Sequence, residues 1–475
     1  MAKKKVKTGI KVSFVGTNAT EVTGSCTHIS VGEHQFLIEC GINQSTKSTL
    51  ESYKINNRKF DFKAKEIEFA VICHSHGDHC LLLPLLVKRG FTGKVYVPEM
   101  NYGLIKILLE DCCYILEKDA ELLKKQGHNL EPIYNMDDVK AALELIEEVP
   151  FGEEFKINDY ATIKFTHSGH ITNSAHCELW LTDNNITKKI YYTSDLGNRN
   201  VPLYYVHDFE PVNKANLVIA ESTYANPLRQ VKAKDREKDL EKIKCVIEQT
   251  MEKKGKVLIP VFANHRCQTM LTVLYELYGN DSDWKVPIYV DSPMACKISA
   301  LMCHIVNESQ MHYWERVMTW KNVHFISEYN DSKALQDNSE PCIVLSSSGM
   351  LTAGRSVAWT QKLLGSSKNH FLFCGYAPEG SLADKIKTGT QKYITVEGKS
   401  IPNKAFVTNL VSFSSHIQHD DMLEYYSEIN CEKIALVHGN FADKEKFSKE
   451  LQEVIADKNK TTKVVCVNSG TTLTL

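Results

Sequence analysis

Short stretches of alternating apolar and polar residues open the chain. KVSFVG, HQFLIEC and IEFAVIC follow one another within roughly the first 70 residues. Turns rich in Gly, Thr, Asn and Ser separate them, and this spacing predicts successive β-strands. The N-terminal MAKKKVKTGIK reads as a basic first strand, because the alternation of KVSFVGTNATEV stands where a signal peptide would need a continuous apolar run. From Asn101 to Val149 the period becomes helical, with Leu104, Leu108, Ile115, Leu122 and Leu123, then Val139, Leu143 and Ile146, on the apolar stripe. Strands return in ATIKFTHSGH, CELWLTD and KKIYYTSD. Beyond Ser222 a charged helix over roughly 229–253 starts an alternation of strands (KVLIPVF, PIYVD, PCIVLSSSG, HFLFCGY) with helices. That alternation predicts a parallel sheet. After KSIPNKAFVTNLVSF a helix, the strand KIALVHG, a second helix and the strand KVVCVNSGTTLTL close the chain, so the αβ stretch reads as an insertion in a continuous α/β fold.

The chain has 475 residues, 43% of them apolar and 24% charged, which describes a globular protein of two or three domains. Its 56 Lys and Arg against 58 Asp and Glu leave a net charge of −2. Nucleic-acid binding therefore has to come from a local basic patch or from metal ions. The most apolar run, LLLPLLV over 81–87, is far shorter than a membrane span, so no membrane association is expected. Fifteen cysteines without a single CxxC pair fit a reduced, cytoplasmic setting and argue against cysteine zinc sites.

Candidate chemistry concentrates in IEFAVICHSHGDH. An apolar strand delivers His74, His76, Asp78 and His79 within six positions. Residues two apart on extended backbone point the same way, so His74 and His76 can grip one ion, while a turn at Gly77 sends Asp78 and His79 toward a second. Imidazole and carboxylate suit Zn²⁺ or a similar divalent transition metal. His170, Asp195 and His438 each follow a predicted strand and complete two ligand sets, with Asp195 placed to bridge them. Gly439 lets the backbone turn tightly beside His438.

This constellation resembles the metallo-β-lactamase superfamily, and further motifs narrow the resemblance to the β-CASP metallonucleases. They are EVTGSC, AESTY with Glu221, IPVFANHRCQ, YVDSPMA, LSSSGMLTAGR, GYAPEGSL, LVSFSSH ending in His416, and ALVHGN with His438. Together they span the chain from about Val12 to its last strand. The resemblance implies an αββα sandwich (1–225 and 405–475) with an inserted β-CASP domain of mainly parallel sheet (226–404). It implies two Zn²⁺ ions, one held by His74, His76 and His170, the other by Asp78, His79 and His438, with Asp195 shared. Asp78, Glu221 and His416 are the implied catalytic residues. The chain departs from the family in Glu39, where Asp is common behind a metal ligand, in Asn264 and His265, and in Ala353 in place of Gly.

The implied reaction is cleavage of RNA by a two-metal-activated hydroxide, leaving 3′-hydroxyl and 5′-phosphate ends. His416 stands outside the ligand count and is the candidate general acid, with Glu221 favouring its imidazolium. Ser347, Ser348 and Gly349 follow a strand and offer backbone amides for a phosphate, with Arg355 as a bidentate donor. Single-stranded RNA is the implied partner; DNA as a substrate and a homodimer as the assembly stay open. Two other readings also stay open: a thioesterase-like metallohydrolase, disfavoured because an insertion of roughly 180 residues leaves a slot suited to a polymer, and a catalytically degenerate scaffold, disfavoured because every ligand position is filled.

Overall fold

The computed structural model describes residues 9–44, 48–199, 204–229, 231–375, 377 and 380–475. The basic residues Met1–Thr8 lie outside them, and the first strand begins at Ile10. The chain forms two compact units. One takes in Met1–Arg199, Val206–Gln230 and Ser415–Leu475, the other Asn200–Tyr205 and Val231–Ser414.

The first unit holds two seven-stranded sheets. One runs in the order Thr472–Thr474, Ile10–Phe14, Thr27–Val31, His34–Ile38, Phe69–Val71, Lys94–Pro98, Ile146–Val149. The other runs Lys463–Cys466, Lys433–Val437, Leu217–Glu221, Ile186–Tyr192, Ala175–Asp183, Ala161–His167, Phe155–Lys156. Strand alternation puts Val12, Ile29, Phe36 and Val71 of the first sheet into one core with Phe165, Leu179, Ile190 and Ile219 of the second. The second sheet turns Tyr191, Val218 and Leu436 the other way, onto Met422, Tyr426, Phe447 and Leu451 of the helices His419–Glu428 and Phe441–Asp457. Crossover helices between the parallel strands of the first sheet complete an αββα sandwich.

The helical stripe read over 101–149 breaks in two places. Tyr102–Lys125 and Met136–Glu144 are helices, the second started by a capping box in which Asn135 Oδ1 accepts from Asp137 N at 2.9 Å and Asp138 N at 3.1 Å. Ile146–Val149 is a strand, corrected from helix, because it pairs parallel with Lys94–Pro98 and tertiary pairing overrides local period.

Parallel pairing collects loops at one end of each sheet. Ile38 lies opposite Val71 in the first sheet; Tyr192 lies opposite Ile219, and Glu221 opposite Val437, in the second. Every candidate ligand follows one of these strand ends or the turn after Ala161–His167.

Among the described residues the second unit holds a six-stranded, all-parallel sheet in the order Val323–Ile326, Ile288–Asp291, Cys342–Ser346, Lys256–Pro260, His370–Phe373, Phe406–Asn409, and an antiparallel pair, Tyr393–Val396 with Lys399–Pro402. Phe406–Asn409 is its edge strand, so the unit extends past residue 404 to Ser414. The fully buried Asp239 of helix Ala233–Glu252 fastens the following segment: its Oδ2 accepts from Val411 N at 2.7 Å, Ser412 N at 2.8 Å and Ser412 Oγ at 2.9 Å. Asp239→Ala strands those donors and should destabilise this unit by about 2–4 kcal/mol. Urea unfolding followed by tryptophan fluorescence checks it, since four of the five tryptophans belong to this unit; an unchanged midpoint refutes it. Among the described residues no helix is long and apolar enough to cross a membrane.

Candidate metal centre

Strand Phe69–Val71 is buried throughout and delivers the His74–His79 run at its end. The chain bends at His74, and His76, itself extended, precedes the short helix Gly77–Cys80, so Asp78 and His79 swing onto a helical turn. Gly41 holds that turn close, because a Cβ there would lie 1.7 Å from the Asp78 carbonyl oxygen. Ser25 N and Cys40 N donate to the carbonyls of Asp78 and His79, each at 2.8 Å. His438 itself takes a φ of +52°, so the tight turn expected at Gly439 lies one residue earlier. Gly439 serves close approach instead, since its Cβ would meet Ser222 O at 2.5 Å.

The structure brings all seven candidate ligands together. His74, His76, His170 and Asp195 form one cluster of converging donor atoms and Asp78, His79 and His438 another. Asp195 faces both: Oδ2 lies 3.6 Å from His74 Nε2 and 3.5 Å from His170 Nε2, while Oδ1 lies 3.5 Å from His79 Nε2 and 3.6 Å from His438 Nδ1. His170 Nε2 is 3.3 Å from His76 Nδ1, and His438 Nε2 is 3.2 Å from Asp78 Oδ2. His170 donates Nδ1–H to Ser415 O at 3.1 Å, which leaves the Nε2 lone pair pointing at the cluster.

Electrostatics follow from burial. It lowers His74 well below the ordinary imidazole range, helped by the charge of His79, and lowers His76 to about 4. Burial alone would raise Asp78 and Asp195 and lower His79. Mutual attraction wins: His79 and His438 hold both carboxyls below their ordinary values, and Asp195, Asp78 and Glu39 lift His79 to about 10.

The donors fit divalent metal. Tetrahedral ligands at 2.0–2.1 Å from zinc stand about 3.3–3.4 Å apart, close to the 3.3–3.6 Å separations around Asp195 and His170. Among the described residues the buried Nε2 of His74 meets no hydrogen-bond partner, which is compatible with a nitrogen that holds an ion.

His416 and Glu221 adjoin this centre. His416 Nδ1 lies 3.3 Å from Glu221 Oε1, and its ring packs edge-on against Tyr224 with centroids 5.7 Å apart. Burial is the largest single influence on His416 and lowers it, yet Glu221, Asp195 and Asp78 together outweigh it, for a net upward shift. Glu221 Oε1 also accepts from Leu196 N at 2.7 Å, fixing the loop that carries Asp195.

A family model of the Beta-Casp domain matches residues 267–386, and one described as a Zn-dependent metallo-hydrolase RNA specificity domain matches residues 400–464. Ribonuclease TTHA0252 of Thermus thermophilus is 31% identical over 428 residues, 89% of this chain and 91% of that protein. The chain belongs to the β-CASP metallonuclease family. Transcription termination factor FttA of Methanocaldococcus jannaschii is 30% identical over 90% of this chain and 67% of its own length. A crystal structure of a protein of unknown function from Enterococcus faecalis V583 shares the fold, with a TM-score of 0.55, 9% identity, and 98% of this chain and 100% of that one covered.

In this β-CASP protein Glu39 stands at φ +62°, with Oε1 3.3 Å from His79 Nδ1 and 3.2 Å from Cys73 N. Burial raises its carboxyl. Two residues escaped the sequence reading. Ser194 Oγ sits between His74 Nδ1 at 3.1 Å and Glu39 Oε1 at 3.4 Å, and Thr223 Oγ1 contacts His438 Nδ1 at 2.9 Å. Their only signal was adjacency to Asp195 and closeness to Glu221.

The candidate phosphate loop belongs to the second unit. Ser348 Oγ accepts from Thr352 N at 3.0 Å within its own turn, Ser347 O accepts from Ser356 N at 3.0 Å, and Gly349 leaves room for Phe262 N, 3.1 Å from where a Cβ would be. Arg355 needs correction as an outward donor. Its Nη1 binds Asp291 Oδ1 at 2.6 Å and Ile326 O at 2.9 Å, because the fully buried Asp291 requires a counter-charge.

Proposed function

We propose that this chain is a zinc-dependent phosphodiesterase that cleaves single-stranded RNA, with 3′-hydroxyl and 5′-phosphate products. The observation that carries the reading is Asp195, whose two oxygens face two separate ligand trios. Two zinc ions bound there would acidify water and offset charge on the phosphate oxygens. The relatives named as a ribonuclease and a termination factor, and the matched RNA specificity domain, support RNA as the polymer.

The residues divide the remaining work. His74, His76 and His170 orient one set of donors, Asp78, His79 and His438 the other, and Asp195 joins them. Glu221 holds His416 by Nδ1, which leaves Nε2–H as the proton donor. As water attacks phosphorus and the bond to the 3′ oxygen breaks, that oxygen takes the Nε2 proton and departs as a hydroxyl. Attack by water puts the phosphate on the 5′ side, and no cyclic phosphate forms.

Protein purified without chelator should contain close to two equivalents of zinc by plasma mass spectrometry and should cut 5′-labelled single-stranded RNA. Dipicolinate should remove both metal and activity, with zinc restoring activity. A folded protein with reproducibly no metal overturns the reading, as does undiminished RNA cleavage after complete metal removal.

A further inference from the structure

A groove in the first unit lies outside the metal centre. The segment RKFDFKAK, Arg58 to Lys65, borders two adjoining recesses: an inner one walled by Cys40, Gly41 and Leu82, and an outer one lined by Phe60, Phe62 and the lysines around them. The inner wall is the backbone that carries the metal-binding turn, since Cys40 N donates to His79 O at 2.8 Å and Leu82 N to Cys40 O at 2.9 Å. One layer of peptide thus separates the groove from Asp78 and His79.

Phe60 and Phe62 line both recesses, half-buried and nearly parallel, 4.9 Å apart at 7°. His28, outside the lining, backs Phe62 at 5.5 Å and 15°, and the Arg89 guanidinium lies 4.5 Å from the Phe60 centroid. Arg89 is fixed by bonds to Arg58 O at 2.7 Å and Asn57 O at 2.9 Å, so the run is anchored at one end. Offset rings of this kind leave edges and part-faces on which another flat ring settles favourably. The rim is basic on balance: Lys59, Lys63 and Lys65 stand against Asp61, which lines the inner recess, and Glu66. Lys63 pairs with Glu66, whereas Lys59 and Lys65 are exposed and make no ion pair among the described residues.

An apolar ring floor inside a basic rim suits a ligand of flat bases joined by phosphates, and the bases must be unpaired to reach the rings. It also supplies the local basic patch that a chain of net charge −2 requires for a polyanion. We propose that the Arg58–Lys65 segment, with His28 backing Phe62, binds a stretch of single-stranded RNA away from the bond that is cut. The choice of RNA rests on the nuclease reading; the groove itself rests on the rings and the lysines.

The test measures binding of the full chain to single-stranded RNA of 4 and 20 nucleotides, by fluorescence anisotropy with cleavage blocked by metal removal. Lys59→Gln combined with Lys65→Gln should weaken the 20-mer by about tenfold at physiological salt and cut the slope of log Kd against log salt by about 1.4, two phosphate contacts at ~0.7 each. The affinity gap between 20-mer and 4-mer should shrink accordingly. Phe62→Leu keeps apolar volume but loses the ring, and should weaken the 20-mer several-fold with the salt slope unchanged. A 4-thiouridine 20-mer should cross-link to the 58–65 peptide. Unchanged affinity and slope in the lysine variant, with no such cross-link, overturn the groove, and this is the outcome expected if a protein partner occupies it. If the native protein cleaves RNA while the groove assays fail, only the groove is wrong. If metal-loaded protein leaves RNA intact while the groove assays succeed, the nuclease reading fails alone.

Discussion

His416→Ala should keep its zinc and lose about 10²–10⁴-fold in the rate of RNA cleavage, whereas His438→Ala should lose zinc and activity together. The two histidines lie 22 positions apart, with ring centroids 6.1 Å apart, yet their attachments differ. His438 reaches Asp78 Oδ2 at 3.2 Å and Asp195 Oδ1 at 3.6 Å, inside the donor set. His416 forms a further convergence with Asp195 and Glu221, which makes a ligand role the rival interpretation. Glu221 decides against it: its Oε1 already takes the Leu196 amide at 2.7 Å and holds His416 by Nδ1, an arrangement for steadying an imidazolium. The decisive measurement pairs metal analysis with two substrates. On an RNA oligonucleotide the His416→Ala loss should be full. On a nitrophenyl phosphodiester it should shrink, because that leaving oxygen is stable as an anion and gains little from a proton. Loss of a metal in His416→Ala, or an equal loss on both substrates, means the division of roles is wrong.

The seven candidate ligands that converge in the fold could be picked out of the sequence because most of their signal is local. Four donors in six positions at a strand end seldom occur together except to hold metal, and His170, Asp195 and His438 each follow a strand. What was not legible depends on partners far along the chain. Ser194 matters because Glu39, 155 positions away, lies within 3.4 Å of it. Arg355 looked like a phosphate donor because Asp291, 64 positions upstream, had no visible need of a counter-charge. Ile146–Val149 kept the helical stripe in step by chance, and only Lys94–Pro98 beside it makes it a strand. The Arg58–Lys65 run passed unnoticed because lysines between phenylalanines read as an ordinary connector until His28 and Arg89 line up with the rings. Local chemistry was therefore visible, and pairing between distant strands was visible only in the second unit, where alternating strands and helices leave few arrangements but a parallel sheet.

Glu39 should control both metal sites at once, although it belongs to neither ligand trio. Its carboxylate meets His79 Nδ1 at 3.3 Å directly and reaches His74 through Ser194 Oγ, by steps of 3.4 Å and 3.1 Å. One acid thus orients an imidazole from each set, and the same carboxylate accepts Cys73 N at 3.2 Å, holding the strand end that launches the ligand run. Deleting an outer partner of a metal ligand typically weakens metal binding by about 10–100-fold. With one partner lost at each site, Glu39→Ala should reduce double loading by the product, about 10²–10⁴-fold. Competition with a zinc-chelating dye reads this directly, independently of activity. Glu39→Gln separates shape from charge: it can still accept Cys73 N, so the fold should hold while zinc affinity falls at both sites. Glu39→Asp keeps the charge and suits a backbone at φ +62°, which Asp tolerates better than Glu, but it is shorter by one methylene. It should therefore lie between the native protein and Glu39→Gln. If Glu39→Ala binds two zinc ions as tightly as the native chain, the carboxylate serves only the Cys73 amide and the two ligand sets are not coupled through it.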